Sequence, residues 1–193
     1  MPALSLPKGP RPQEPAKRSV DRCRTESPIN MKNQEKPSRR EPHIPTESDW
    51  GDYRDDLDQN WAHDHYCGRS NEEMQEYFRN NPIEAASDLQ FMPEIPFRYY
   101  MLGYRDCVMA GDYDLLDASD AASCFLNLVI GKLEKAPRYI APIMPDLLPA
   151  LQYVAENQGE LKADEAIYGS FPEKFEKIQS LYAECKDRYR RYP

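Results

Sequence analysis

The octapeptide WAHDHYCG, residues 61–68, contains side chains that could bind a metal ion. His63 and His65 have the His-x-His spacing that zinc enzymes use, and Cys67 follows two residues later. If the stretch is helical, His63 and His65 point about 200° apart and cannot share a metal. His63 and Cys67 share a face, but a zinc site needs three or four ligands. The sequence therefore predicts no metal site here unless an Asp or Glu from another helix joins the pair.

Other patterns that carry chemistry are incomplete or absent. The stretch GDYDLLDASDAAS has the acidic density of a calcium loop, but Leu116, Asp117 and Ser123 occupy positions that need a ligand, a glycine and a glutamate. The chain has no Glu-x-x-His pair, no glycine-rich phosphate loop and no G-x-S-x-G. We therefore predict no cofactor and no catalytic residue. The enzymatic alternative is a helical, metal-dependent hydrolase that uses His63, Asp64 and Cys67.

Helical periodicity decides how the octapeptide is positioned. Apolar and aromatic residues recur at steps of 3, 4, 4 and 4 in residues 50–65. They are Trp50, Tyr53, Leu57, Trp61 and His65. This pattern predicts one helix that starts at Thr46 or Ser48, ends before Gly68 and buries that stripe. His65 would then lie at the edge of the core, and His63 would face solvent.

The rest of the chain is also predicted to form helices separated by proline and glycine. Ser70 and Glu73 have capping-box spacing, and Asn81 with Pro82 marks a helix start that leads to Phe91. Further helices are predicted to end at Gly111, to span a central apolar segment with Lys132 and Lys135 at its end, and to cover residues 146–157. A last helix follows the capping box SFPE. The predicted fold is a single all-α domain of six to eight helices, from residue 46 to residue 193.

The composition of the chain indicates the cellular compartment in which we expect the protein. The 193 residues carry a net charge of −8 and contain no run of about 18 apolar residues that could span a membrane. The N-terminus lacks the apolar stretch of a signal peptide. Five irregularly spaced cysteines without a C-x-x-C argue against a disulfide framework and a zinc knuckle. We therefore expect a cytoplasmic protein.

Residues 1–45 differ in character from the rest. They hold ten basic and five acidic residues, nine of the 18 prolines and no aromatic residue. Such a segment cannot bury enough apolar surface to fold, so we predict a disordered, basic, proline-rich tail. It could be an arm for nucleic acid or an acidic partner, which would make the protein a nucleic-acid-associated regulator. It could also be an extension without a role, with Met31 as the true start.

The predicted domain is acidic, with 15 basic and 28 acidic residues and a net charge of −13. Such a field repels nucleic acid and attracts a basic protein. In size, acidity and helical build, residues 46–193 resemble the immunity proteins that neutralise bacterial toxins. The resemblance implies a dedicated toxin partner, such as a basic nuclease, whose active site is blocked by carboxylates. The carboxylates expected to contact the partner are Asp52, Asp55, Asp56, Asp58, Asp64, Glu72, Glu73 and Glu76.

Overall fold

Helices make up the architecture of the part of the chain that the structure describes. The structure is a computed structural model, and it describes residues 43–111 and 117–191. The helices are α1 (Leu57–Tyr66), α2 (Gln75–Asn80), α3 (Pro82–Phe91), α4 (Glu94–Ala110), α5 (Asp117–Lys135), α6 (Pro137–Ile140), α7 (Met144–Glu156), α8 (Glu165–Tyr168) and α9 (Phe171–Arg191). No strand occurs in these two ranges, and seven of the helices have six residues or more. The all-α prediction is confirmed for the described residues.

Local signals set several helix ends where the sequence predicts them. α3 runs from Pro82 to Phe91, with proline in the first turn, where its missing N–H costs nothing. α4 ends at Gly111, whose φ of 65° closes the helix in the left-handed region. However, α4 begins at Glu94, although the sequence pattern treats Pro93 and Pro96 as breaks between helices. Pro96 lies in its first turn and does not break it.

The apolar face of α5 lies at the centre of the core, as predicted. Phe125, Leu126 and Val129 are completely buried. α5 packs against α3, α4, α6, α7 and α9, so five helices cover one long apolar helix. The last helix, α9, buries Phe171 and Ile178 against this assembly.

Tyrosine hydroxyls fix the end of α1 to the core. The Tyr100 hydroxyl donates to the carbonyl oxygens of Tyr66 and Arg69, at and just beyond the end of α1. The Tyr66 and Tyr77 hydroxyls both donate to Oδ2 of the buried Asp88 in α3, at 3.3 and 2.8 Å. These bonds hold the chain around the octapeptide in a defined position.

The predicted tail lies outside the described residues, apart from residues 43–45. Pro45, which the predicted boundary assigns to the tail, is buried, and its carbonyl oxygen accepts from the Gly68 N–H at 3.2 Å. The segment before α1 therefore packs on the end of α1. Among the described helices, none combines the length and apolar composition that a membrane span requires.

Candidate functional site

The segment that leads into α1 is a turn followed by a cap. Glu47–Asp49 form a 3₁₀ turn in which the Thr46 N–H and hydroxyl both donate to Asp49 Oδ2 at 2.8 Å. Gly51 then redirects the chain with a φ of 63°. Asp56 starts α1 by accepting hydrogen bonds from the N–H groups of residues 58 and 59, at 3.0 and 3.1 Å.

Because α1 begins only after the Asp56 cap, the predicted inward-facing stripe is wrong in its second half. Trp50 and Tyr53 are buried as expected, but Leu57 is 87% exposed and Trp61 is 57% exposed. The cap at Asp56 resets the helical phase, because the residues before it do not belong to α1. α1 instead buries Ala62 and Tyr66. The predicted single helix is thus a turn and a shorter helix.

All eight carboxylates predicted to contact a partner are exposed. Five lie between residues 52 and 64, and three lie between residues 72 and 76, around the start of α2. Two of these carboxylates also accept hydrogen bonds from backbone N–H groups. Asp56 caps α1, and Glu73 accepts from the Ser70 N–H at 2.7 Å, which lowers the pKa of the Glu73 carboxyl. Asp52 contributes to the wall of a cavity.

The sequence predicts that His63 faces solvent, but in the structure most of its side chain is buried. Its side chain is 13% exposed, and its ring stacks on Tyr53 with centroids 3.8 Å apart and packs edge-on against Trp50 at 5.2 Å. Its Nε2–H donates to Glu47 Oε2 at 2.7 Å. The turn before α1 places these groups over the side of the helix that carries His63.

His63 and Cys67 do share a face, and a carboxylate from outside α1 joins them. One ligand atom from each of Glu47, His63 and Cys67 lies within 4.8 Å of the others. The sequence pattern predicted a metal site only on the condition that an Asp or Glu from another helix joined this pair, and the hydrolase alternative used Asp64. The structure brings Glu47 from the 3₁₀ turn instead, and Asp64 Oδ1 lies 3.4 Å from His63 Nδ1.

Electrostatics at this trio favour a charged glutamate and a neutral thiol. The pKa of Glu47 is lowered, because His63 Nε2 and the Tyr53 hydroxyl donate hydrogen bonds to its carboxylate. Burial raises the pKa of the Cys67 thiol, and the carboxylates of Glu47 and Asp49 raise it further. The thiol is therefore protonated at neutral pH and a poor nucleophile unless a metal ion displaces its proton.

The sequence pattern placed Lys132 at the end of the central helix and did not predict that its side chain is buried. Lys132 is 3% exposed. Its Nζ donates to the Gln90 carbonyl oxygen at 2.8 Å and lies 4.4 Å from the ring centre of Phe97. Burial lowers its pKa to about 8. The signal that could have identified it is spacing, because Lys132 follows Phe125 by seven residues and Val129 by three, on the buried face of α5.

Lys132 and Trp50 both line a cavity of about 470 Å³ beside the segment that precedes α1. We call it the Lys132 cavity. Its wall includes residues of that segment, the end of α3 and the end of α5. Trp50 Nε1 is buried without a hydrogen-bond partner among the described residues.

Comparisons with known proteins place no constraint on these sites. No protein-family model, no curated protein and no solved structure matches this chain. Any functional conclusion must therefore rest on the residues themselves.

Proposed function

We propose that this protein acts by binding another protein, and that it does so through the exposed side of α1. We call this surface the α1 face and define it by Leu57, Trp61 and Asp64, at positions i, i+4 and i+7, flanked by Asp55 and Asp58. The observation that carries the proposal is the exposure of Leu57 (87%) and Trp61 (57%) one turn apart on one helix. Adjacent exposed apolar side chains on one helix support an interaction surface, and tryptophan is among the residues most enriched at binding hot spots.

The charge around these anchors indicates a basic partner. Asp55, Asp58 and Asp64 are exposed around the apolar pair, and the chain as a whole carries a net charge of −8. Carboxylates at the rim of an interface accelerate the encounter with a positively charged protein. The apolar pair would supply contact area, while the aspartates would supply orientation and a fast association rate.

The finer proposal is an immunity-type inhibitor. In this mechanism, the α1 face and the glutamates at residues 72, 73 and 76 would cover the basic active site of a toxin, such as a nuclease. The carboxylates would occupy the positions that the phosphates of the toxin's substrate need. The acidity and helical build of the chain support this proposal, which also places the protein in the bacterial cytoplasm.

Site-specific crosslinking tests the α1 face. A photoreactive phenylalanine analogue replaces Trp61 in one variant and Ile167, which is 73% exposed on α8, in a matched control. We expect the analogue at position 61 to capture one basic protein, encoded beside this chain's gene, and the control to capture none of it. Equal capture from both positions would contradict the proposal. Inhibition of that partner's toxic activity at one-to-one stoichiometry would support the immunity-type mechanism.

Charge reversal tests the electrostatic part. Asp55→Lys combined with Asp64→Lys should slow association at least tenfold at low salt, and the difference should shrink at high salt. Asp56 is left intact because it caps α1. The pair Glu160→Lys and Glu165→Lys changes net charge equally at two exposed positions outside the α1 face and serves as control. An association rate indifferent to both pairs would remove the electrostatic mechanism.

A second candidate function is metal binding at Glu47, His63 and Cys67. The observation that favours it is the convergence of three ligand atoms within 4.8 Å. A carboxylate, an imidazole and a thiolate are a ligand set that zinc accepts, with a fourth position left for water. We expect Co²⁺, used as a spectroscopic probe, to give a cobalt–thiolate absorption that Cys67→Ser removes and Cys107→Ser retains. Absence of that absorption would exclude the metal site.

A further inference from the structure

The Lys132 cavity contains a buried lysine that forms no ion pair with the residues that the structure describes. Lys132 is 3% exposed, and the described residues give its ammonium one hydrogen-bond acceptor, the carbonyl oxygen of Gln90. The rings of Phe97 and Tyr139 lie 4.4 and 5.0 Å from Nζ. Aromatic faces stabilise a cation, but no carboxylate of the described residues forms an ion pair with Lys132. Buried charges in proteins are normally paired, so this site favours an added negative charge.

A second group in the same wall also needs an acceptor. Trp50 is 1% exposed, and its Nε1–H has no hydrogen-bond partner among the described residues. Buried tryptophan N–H groups usually have an acceptor. An ammonium and an indole N–H are both donors, and both side chains line the Lys132 cavity, so a ligand with two acceptor oxygens supplies what the two groups lack.

The remaining wall determines what such a group would be attached to. The cavity of about 470 Å³ lies within the size range of small-molecule sites. Its apolar lining comes from Phe91, Met92, Pro93 and Tyr139. Its charged lining residues are Lys132, Lys135 and Asp52, which leaves a net positive charge. The wall therefore favours an anion with an apolar body over a small, strongly hydrated anion.

We propose that the Lys132 cavity binds a small organic carboxylate with an apolar body, whose oxygens accept hydrogen bonds from Lys132 Nζ and Trp50 Nε1. Lys135, on the same wall, would add attraction at the entrance. This binding site is separate from the proposed α1 face and does not depend on it.

Another large cavity among the described residues, of about 550 Å³, has no lining group equivalent to the unpartnered Trp50 N–H. It is lined by Arg98 and Glu94 of α4, by α6 and by α9. Arg98 already donates to the Glu94 carboxylate and to the carbonyl oxygens of Arg138 and Tyr139. Its guanidinium is satisfied within the protein, whereas Lys132 and Trp50 are not.

Ligand titration of the full chain tests the proposal. The chain has two tryptophans, so Trp61→Phe leaves Trp50 as the only indole and as a fluorescence reporter in the cavity wall. Benzoate and phenylacetate are the probes, benzamide is the neutral isostere and inorganic phosphate is the small anion. Calorimetry of the unmodified chain repeats each titration without relying on fluorescence. We expect saturable binding of the two carboxylates and at least tenfold weaker binding of benzamide and of phosphate.

Variants identify the groups responsible. Lys132→Met should abolish carboxylate binding, and Trp50→Phe should weaken it several-fold by calorimetry. Lys135→Met, the matched control, removes an exposed lysine of the same wall and should weaken binding two- to threefold at most. Affinity should fall by about tenfold for each pH unit above 8, because Lys132 then loses its proton.

Four results would overturn the proposal: equal affinity for benzoate and benzamide, unchanged binding in Lys132→Met, tighter binding of phosphate than of either carboxylate, or no saturable binding of any probe. The comparison of benzoate with benzamide needs no substitution, so it decides the question even if a variant fails to fold.

Discussion

The ring of His63 stacks on the ring of Tyr53, with centroids 3.8 Å apart and planes 11° from parallel. The two residues lie on opposite sides of the Asp56 cap, so the stack joins α1 to the segment that precedes it. The same imidazole also donates a hydrogen bond from Nε2 to Glu47 and packs edge-on against Trp50. His63 therefore holds the entrance of α1 in place whether or not a metal binds beside it.

The first prediction follows from that packing. His63→Ala should lower the free energy of unfolding by about 1–3 kcal/mol, because it removes an aromatic stack and a hydrogen bond to a charged group. Urea unfolding with and without a chelator measures this cost, which should be the same in both. His43→Ala is the control, since the His43 side chain is 72% exposed, and should change stability by less than about 0.5 kcal/mol. A cost that appears only without chelator would mean that metal, not packing, stabilises the site.

The second prediction distinguishes the observed α1 from the stripe that the sequence predicts. Leu57→Ser should change stability by less than about 0.5 kcal/mol, because the side chain is 87% exposed. An inward-facing leucine would cost about 2–5 kcal/mol on truncation. Asp56→Ala, one residue earlier, should cost about 1 kcal/mol through the lost cap. Thermal or urea unfolding of both variants checks the order, and a larger cost at Leu57 than at Asp56 would contradict the described structure.

The third prediction concerns Asp88, which is 8% exposed. Burial raises its pKa, although hydrogen bonds from Tyr77 and Tyr66 oppose the rise. A raised pKa in the folded state means that stability is highest below the unfolded pKa and falls as pH rises through the folded pKa. Asp88→Asn removes this dependence, so the variant should gain stability relative to the parent between pH 3 and pH 7.

The control at this position is Asp88→Ala, which leaves both tyrosine hydroxyls without their acceptor. It should cost about 1–3 kcal/mol at either pH. Unfolding curves at pH 3 and pH 7 provide the comparison. A parent protein that gains stability relative to Asp88→Asn as pH rises would show that the carboxylate is stabilised in its charged form.

The fourth prediction uses the same linkage at Lys132 with the opposite sign. Burial lowers its pKa to about 8, so the fold favours the neutral amine. The parent protein should therefore gain stability relative to Lys132→Met between pH 7.5 and pH 9.5, where the folded state releases a proton that the unfolded chain retains. Chemical unfolding across that interval measures the difference. A difference that does not change with pH would mean that the amine keeps its ordinary pKa when folded.

The fifth prediction concerns Gly103 in α4, where an added Cβ would lie 2.2 Å from Asn71 Oδ1. Asn71 cannot move freely, because its Nδ2 donates to the Tyr99 carbonyl oxygen at 2.9 Å. Gly103→Ala should cost about 1–3 kcal/mol by overpacking. Gly159→Ala has open space around the new methyl group and should be nearly neutral. Equal stability of the two variants would show that Asn71 yields without cost.

Sequence patterns predicted those elements whose local signals agree with the tertiary structure. Pro82 fits the first turn of a helix because the N–H it lacks would have no partner there, and Gly111 ends α4 because glycine adopts the left-handed region without strain. The spacing from Phe171 to Ile178 in α9 places a real apolar face. The pattern around α1 was misleading, because residues on both sides of a cap happened to keep helical spacing. The phase reset at Asp56 depends on a hydrogen bond that spacing alone does not reveal.

The candidate sites were less predictable than the fold. Cys67 and His63 were placed correctly on one face, but their third neighbour comes from a 3₁₀ turn 16 residues before His63. The burial of Lys132 depends on α3 and on the Tyr139 ring covering the end of α5, which are contacts between distant parts of the chain. Periodicity can place a lysine on an apolar face, but it cannot show that the described helices around that lysine provide no carboxylate to pair with it.

The indole of Trp50 takes part in two separate sites of the domain. It packs edge-on against His63, which holds the start of α1, and it forms part of the wall of the Lys132 cavity. A molecule that shifts this ring from within the cavity must also disturb its edge-on contact with His63. His63 belongs to the proposed metal site, so a cation bound there and an anion bound in the cavity would each change the affinity for the other by the same factor. Displacement of one indole would then link the two proposed ligand sites.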